Sequence, residues 1–180
     1  MNGNPKLEVK DGAPAARPLL FCGDLDIRIA ADGTWYHEGA PIRRPALVKL
    51  FASVLRRDAA GDYWLVTPVE QARIRVDDVP FIAVELKVEG EDGAKCLSFR
   101  TNLDEWVTAG PLHSIAFRPQ PGGREPAPYV AVRDGLEARL TRAVYYELAE
   151  HAVDAGLDGG ARFGVHSDGA FFPLEMDSAA

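Results

Sequence analysis

The segment VRDGLEARLTRAVYYELAEHA, residues 132–152, reads as two strands around an Asp-Gly turn, followed by an arginine and an apolar helix. The segment IAADGTWYHEGAPIRRPALVKLFASVL, residues 29–55, has the same order of elements. An Asp-Gly pair between alternating apolar runs is a strong hairpin signal, because both residues tolerate the backbone angles of a tight turn. A third Asp-Gly pair, within residues 162–174, closes the chain. The pattern predicts a duplicated strand–turn–strand–helix unit.

Both predicted helices have clear start signals. Pro45 suits the first helical position, where its missing N–H is not needed, and Thr141 is a good N-cap. The residues at helical spacing that should form the buried faces are Leu47, Val48, Leu50, Phe51, Val54 and Leu55 in the first helix and Leu140, Val144, Leu148 and Ala152 in the second.

The stretch VPFIAVELKVE, residues 79–89, is continuous enough to be a buried strand, and the polar turn at 90–93 is a natural midpoint of the chain. We therefore predict an α+β fold of two small antiparallel β domains, each built on one copy of the repeated unit. The predicted boundaries are a mobile tail at 1–20, an N-terminal domain at 21–90, a C-terminal domain at 91–174 and a tail at 175–180. The alternative is one continuous antiparallel sheet with two helices on one face.

Composition narrows the class of protein. With 180 residues, 47% of them hydrophobic, the chain is long enough to bury a sizeable core. The formal net charge of −7 argues against nucleic acid as a partner, because phosphate binding needs clustered lysine and arginine. No run reaches the length of a transmembrane helix or a signal peptide, so we expect a cytoplasmic protein without membrane contact. Cys22 and Cys96 fit no metal or redox spacing and are expected to be free thiols; the alternative is one disulfide.

Four blocks of the sequence carry a resemblance to a known family. They are DGTWYHEGAPIRRPALVKLF (32–51), LVTPVEQARIRVDDVPF (65–81), PYVAVRDGLEARLTRAVYYELAEHA (128–152) and GVHSDGAFFPL (164–174). Together they resemble the bacterial family known as domain of unknown function 1285. The resemblance implies a duplicated two-domain α+β fold whose second domain is similar in outline to pleckstrin-homology-like barrels. It also implies a nucleotide-like ligand between the domains and a role, with a protein partner, in signalling.

Catalytic signatures are missing from the sequence. It contains no nucleophile elbow, no zinc-protease motif, no C-x-x-C and no phosphate-binding glycine loop. The four histidines lie in separate segments, and Asp77 and Asp78 are explained by a turn, where aspartate accepts from local backbone N–H groups. We therefore expect a protein that is not an enzyme and needs no cofactor or metal.

Arginines at the predicted helix starts are the strongest functional lead. Arg44 and Arg142 stand where a cation opposes the helix dipole, at a cost of about 0.3–1 kcal/mol. An anion bound at the same place would make the arginine favourable there, because backbone N–H groups and guanidinium groups both favour phosphate or carboxylate. The alternative is pairing within the chain, of Glu38 with Arg44 or of Glu137 with Arg142.

Other polar and aromatic residues are candidates for the same site. Arg100 and Asn102 lie at the end of one strand, and Tyr129 and Arg133 lie on the strand that enters the second unit. The first hypothesis is a sensor that binds a small anionic, nucleotide-like ligand between its two halves, through Arg44, Arg100, Asn102, Tyr129, Arg133 and Arg142. The second is a structural or protein-interaction module without a small ligand. The repeated unit is compatible with both hypotheses.

Overall fold

The computed structural model describes residues 20–90, 94–155 and 163–175, with the backbone alone for residues 20–22. Residues 1–19 of the predicted tail at 1–20, most of the tail at 175–180 and most of the turn at 90–93 lie outside these ranges. Within them the chain forms two six-stranded sheets, a three-stranded sheet and two α-helices, so the α+β class and the division into two β-rich halves are confirmed. No helix in these ranges has both the length and the apolar character needed to cross a membrane.

The first sheet is built from residues 20–76. Its strands are β1 (Leu20–Ile29), β2 (Trp35–His37), β3 (Ala40–Pro41), β4 (Leu55–Arg57), β5 (Tyr63–Val66) and β6 (Glu70–Val76). They lie in the order β3-β2-β1-β6-β5-β4, so the first and last strands are neighbours at the centre and pair in parallel. All other neighbouring strands are antiparallel. Helix α1 (Pro45–Ser53) connects β3 to β4 and begins at the predicted proline.

The second sheet starts immediately after the first. Its strands are β7 (Phe81–Glu89), β8 (Cys96–Thr101), β9 (Trp106–Thr108), β10 (Ile115–Arg118), β11 (Ala127–Arg133) and β12 (Leu136–Leu140). They lie in the order β10-β11-β12-β7-β8-β9, with β12 and β7 parallel at the centre. Helix α2 (Arg142–Ala149) follows β12 and packs on β7, and the Thr141 side chain caps it by accepting from the Val144 N–H.

The two six-stranded sheets have the same topology. In each, the next two strands lie outward from the first strand, the two strands before the last lie outward from the last strand, and the first and last strands pair in parallel. The fold is therefore duplicated, but at the level of the whole sheet. The prediction of two antiparallel domains was wrong. In each sheet the last strand returns beside the first and runs parallel to it, which makes one parallel pair.

The predicted repeating unit does not occupy equivalent places in the two sheets. Helix α1 lies between the third and fourth strands of its sheet, whereas α2 follows the sixth strand of the other. The turn that corresponds locally to Asp134-Gly135 is Glu38-Gly39, because both pairs have the positive φ angles of a type I′ turn. Asp32 does not have a positive φ angle. The alignment by Asp32-Gly33 was therefore wrong.

The boundary between the two sheets falls at residues 77–80, before the predicted boundary at residue 90. The reason is that β7 pairs with β8 and β12 and so belongs to the second sheet. The continuous apolar run predicted a buried strand correctly, and its Phe81, Ile82 and Ala83 are buried. Sequence alone did not show which sheet that strand joins.

A three-stranded sheet closes the chain against the second domain. It consists of β13 (Val153–Asp154), β14 (Phe163–Ser167) and β15 (Ala170–Pro173), with Asp168-Gly169 at the turn between the last two strands. The buried hydroxyl of Ser167 accepts from the Leu97 N–H at 2.9 Å and donates to the Ala109 carbonyl at 2.7 Å. Because Ala109 also donates directly to the Leu97 carbonyl, this hydroxyl completes the last rung of the β8–β9 ladder.

Helix packing follows the predicted face in α2 more closely than in α1. Val144 and Leu148 are buried as predicted. In α1 the fully buried residues are Val48 and Ala52, while the remaining predicted residues of that helix are half-buried or exposed: Leu47, Leu50, Phe51 and Val54. The face was misjudged because α1 is short and ends at Ser53, so Leu55 already belongs to β4.

Candidate functional site

Arg100 is held by carboxylates of its own domain. Its guanidinium donates to Glu85 at 2.6 Å and to Asp104 at 3.1 Å, and these bonds raise the pKa of Arg100. Lys49 of α1 donates to the same Asp104 at 2.6 Å and is the first cause that lowers the pKa of this carboxyl. Arg100 therefore belongs to a surface ion-pair network, and its guanidinium group already binds two carboxylates of the protein.

Asn102 and Arg133 connect the two domains. The Asn102 side chain accepts from the Ile82 N–H at 3.0 Å and donates to the Gly33 carbonyl at 3.5 Å. Arg133 pairs with Glu105, and it also donates to the Ala52 carbonyl of α1 at 2.9 Å. Both side chains are used in structural contacts, which explains their polarity without a ligand.

Tyr129 belongs to a buried polar network. Its hydroxyl donates to the Asp78 carboxylate at 3.0 Å, and Arg139 forms an ion pair with that carboxylate at 3.0 Å. The guanidinium of Arg118 lies 3.8 Å from the centre of the Tyr129 ring. Burial, with the Asp78 charge adding to it, raises the pKa of Tyr129 to about 12. Since Arg139 also donates to the Ala31 carbonyl at 2.7 Å, the network ties the second domain to the first.

The two helix-start arginines have no carboxylate within salt-bridge distance in the described ranges, and both are exposed. The alternative pairings are not formed: Glu137 binds Arg118 at 2.6 Å and lies 3.9 Å from Arg57. Arg44 is the residue before the first turn of α1 and Arg142 is the first residue of α2, as predicted. These two cations are the part of the predicted site that stays available.

Three cavities of the described chain were compared with the predicted site, and each is lined by residues of one domain. The first, of about 680 Å³, lies on the first sheet between Asp24 and Asp77. The second, of about 620 Å³, lies along β9 and is called here the β9 groove. The third, of about 450 Å³, lies at the start of α2 and is called here the α2 cavity. Of the six predicted site residues, only Arg142 lines any of the three.

The prediction that all six residues bound one cleft between the domains is therefore not supported by these cavities. Four of them are already hydrogen-bonded within the chain: Arg100, Asn102, Tyr129 and Arg133. The physical reason is the abundance of acids and backbone carbonyls near the domain interface, which satisfy the same donors that an anion would need.

The α2 cavity combines one free cation with aromatic walls. Tyr145 contacts Phe117 at 5.8 Å and Tyr146 at 6.1 Å between ring centres, and all three rings line the cavity with Arg142. Its opposite wall is the loop after β10, which contributes Gln120 and Glu125. The sequence pointed to Arg142, but not to Tyr145, Tyr146 or this loop. The signal available was the long polar stretch QPGGREP, residues 120–126, between two strands.

The described residues do not offer a cluster of side chains that could hold a metal ion. Among the residues described, no three histidine, cysteine, aspartate or glutamate side chains come together as metal ligands. Cys96 is a free thiol whose sulfur lies 3.8 Å from the Ala94 carbonyl, and the side chain of Cys22 is outside the described ranges. The arrangement around Arg142 can bind an acidic group and stack on a flat one.

These features define a mostly β protein of two domains, each built on one copy of a six-stranded mixed sheet. Residues 17–79 match the N-terminal domain of unknown function DUF1285, and residues 80–174 match the C-terminal domain of the protein of unknown function DUF1285. The chain belongs to the DUF1285 family. The resemblance seen in the four sequence blocks is thereby confirmed, and the division at residue 79 agrees with the gap between the two sheets.

Two crystal structures of family members are similar to this chain. One, of a DUF1285 family protein from Silicibacter pomeroyi DSS-3, is 42% identical, covers 92% of this chain and 91% of its own, and superposes with a TM-score of 0.80. The other, from Shewanella baltica OS155, is 26% identical, covers 70% of this chain and 91% of its own, and has a TM-score of 0.55. No curated protein matches the chain.

Proposed function

We propose that this protein is a binding protein without catalytic activity, and that its second domain binds a small acidic ligand with a flat ring in the α2 cavity. The observation that carries the proposal is Arg142, an exposed guanidinium without a carboxylate partner in the described chain, on the wall of a cavity of about 450 Å³. Cavities of this size suit small molecules.

The chemistry of the walls favours a nucleotide-like ligand. A guanidinium group binds phosphate or carboxylate through two parallel hydrogen bonds, and the positive end of the α2 dipole adds to the attraction. Tyr146 is 60% exposed, which leaves a ring face available for stacking. Glu125 on the opposite wall is an acceptor for hydroxyl or amino donors, such as those of a ribose or a base.

The proposal keeps the class of ligand expected from the sequence and moves its site away from the domain interface. It also keeps the sensing role in signalling that the family resemblance implies, with a protein partner that reads the bound state. The pleckstrin-homology-like outline of the second domain belongs to the same proposal. It is supported by a curled β-sheet that is followed by helix α2.

A thermal-shift screen with nucleoside phosphates and sugar phosphates tests the proposal. A ligand at a hundred times its Kd stabilises the folded protein by about 2.7 kcal/mol, which is easily measured. We expect the Arg142→Ala variant to lose that shift. Arg44→Ala is the matched control, because Arg44 is also a free helix-start arginine but lines none of the three cavities, and it should retain the shift.

The same screen can refute the proposal. If no acidic compound raises the melting temperature, or if Arg142→Ala and Arg44→Ala lower the response equally, the α2 cavity is not the site. Tyr146→Ala separates stacking from charge, since a ligand held by its phosphate alone would bind this variant unchanged.

A further inference from the structure

Strand β9 is an edge strand with an open hydrogen-bonding side. Among the described residues its ladder is with β8, where the Thr101 N–H donates to the Glu105 carbonyl and the Ala109 N–H donates to the Leu97 carbonyl. Bonded pairs alternate in an antiparallel ladder, so Val107 is the next bonded residue. The backbone N–H and C=O groups of Trp106 and Thr108 therefore point away from β8.

This open side faces the β9 groove. The lining residues include the four consecutive positions 105–108, which is the pattern expected when a cavity runs along the edge of a strand. The opposite wall consists of Val132 of β11 and the loop from Gly110 to His113. The second sheet is curled here, because Glu105 beside β9 reaches Arg133 at the end of β11. The groove lies between β9 and the end of β11 in this curled sheet.

Exposed apolar side chains stand at the groove. Leu112 is 88% exposed and Trp106 is 44% exposed, and both line it. The Nδ1 of His113 lies 3.1 Å from the Ala131 carbonyl and must donate to it, because a carbonyl oxygen only accepts. This bond fixes the ring against β11 as part of the wall.

The charge in the groove is negative. Glu105 is neutralised by Arg133, whereas the Asp168 carboxylate has no ion-pair or hydrogen-bond partner in the described chain. It lies against Gly110, whose added Cβ would stand 2.8 Å from its Oδ2. The complement of this groove is an apolar segment with one cation.

We propose that the β9 groove binds an extended segment of a partner protein, apolar and carrying one lysine or arginine, which adds as a strand to β9. The segment pairs with the backbone of Trp106 and Thr108, packs on Leu112 and places its cation at Asp168. Strand addition of this kind takes its affinity from main-chain hydrogen bonds and its specificity from the flanking side chains. The three residues of β9 set the paired length at about 10 Å.

A second copy of the chain fits the groove less well than a basic segment does. The edge it would contribute, Trp106–Thr108, has no cation, and it would bring a second unpaired Asp168 towards the first. Like charges brought together in this way oppose association. The charge of the groove therefore favours a different partner.

Selection from a random library of linear heptapeptides, displayed on phage and presented to the full chain, tests the proposal. We expect the enriched peptides to alternate apolar residues and to contain one lysine or arginine. The best peptide, made synthetically, is then titrated by isothermal calorimetry. Replacing its basic residue by glutamate should weaken binding about tenfold or more, a change of about 1.4 kcal/mol.

Two variants at one position give a matched pair. Thr108→Pro removes the outward N–H without touching the β8 ladder and should weaken binding about tenfold, because proline is tolerated on the open side of an edge strand. Thr108→Val also loses the hydroxyl contact with Ser98 but keeps the N–H, and should bind as the wild type does. Asp168→Asn, at a turn position that asparagine tolerates, should weaken the basic peptide only.

Several results would overturn the proposal. They are the absence of enriched peptides, enrichment of acidic peptides, and equal binding by Thr108→Pro and Thr108→Val. A concentration-dependent dimer that Thr108→Pro abolishes would assign the groove to a second copy instead. If Thr108→Pro does not fold, N-methylation of alternate peptide amides makes the same test on the peptide. Unchanged binding by the methylated peptides would exclude strand addition.

Discussion

Replacing Ser167 by alanine removes the hydroxyl that joins the last rung of the β8–β9 ladder to the C-terminal hairpin. Two buried backbone groups, the Leu97 N–H and the Ala109 carbonyl, then lose their partner. Leaving a buried polar group unsatisfied costs about 1–3 kcal/mol, so the two together predict a loss of about 2–6 kcal/mol in the free energy of unfolding. That is a large part of the stability of an ordinary domain.

Urea denaturation followed by circular dichroism measures this loss. Ser98→Ala is the matched control, because it removes the same atom from a hydroxyl that bonds only to the exposed Thr108 side chain at 2.8 Å. The control should lie within about 0.5 kcal/mol of the wild type. A Ser167→Ala variant as stable as the control would refute the reasoning and show that water or a backbone shift satisfies both groups.

Two further predictions concern the core and the buried network. Leu148→Ala should lower the free energy of unfolding by about 2–5 kcal/mol, since this leucine is fully buried, while Leu50→Ala, at a site 59% exposed on α1, should cost far less; equal costs in urea denaturation would show that the burial of α2 is misassigned. Tyr129 should titrate near its raised pKa of about 12, which an absorbance titration at alkaline pH can follow. Its stabilising effect is complete below the unfolded tyrosine pKa of about 10 and is lost as the pH rises towards 12, so Tyr129→Phe should remove this pH dependence, and a normal tyrosine titration would contradict the burial of its hydroxyl beside Asp78.

Local elements of the fold were predictable because their signals are local. Proline at the first turn of α1, the Thr141 cap of α2 and the apolar spacing of Val144 and Leu148 all depend on residues within one or two turns. The turn between β11 and β12 is likewise set by Asp134-Gly135. What these signals do not contain is which strands become neighbours.

Long-range pairing is the part that the sequence did not reveal. The parallel contact of β1 with β6, and of β7 with β12, joins residues far apart in the chain and leaves no mark on either strand alone. The partners of the candidate site residues could not be predicted for a related reason. Arg100 and Arg133 look available in sequence, but their partners Glu85 and Glu105 are chosen by strand pairing and by the curl of the second sheet. Arg142 was identified because its helix start is a local feature.

The placement of the first and last strands side by side at the centre of each sheet also determines when each domain can fold during synthesis. The first domain cannot close its sheet until β6, ending at Val76, has left the ribosome, because β1 lacks its central neighbour until then. The second domain waits in the same way for β12, ending at Leu140. Removing residues from either end of a domain therefore takes away a central strand, and a nascent chain that stops short of either point exposes an unpaired strand edge to its neighbours.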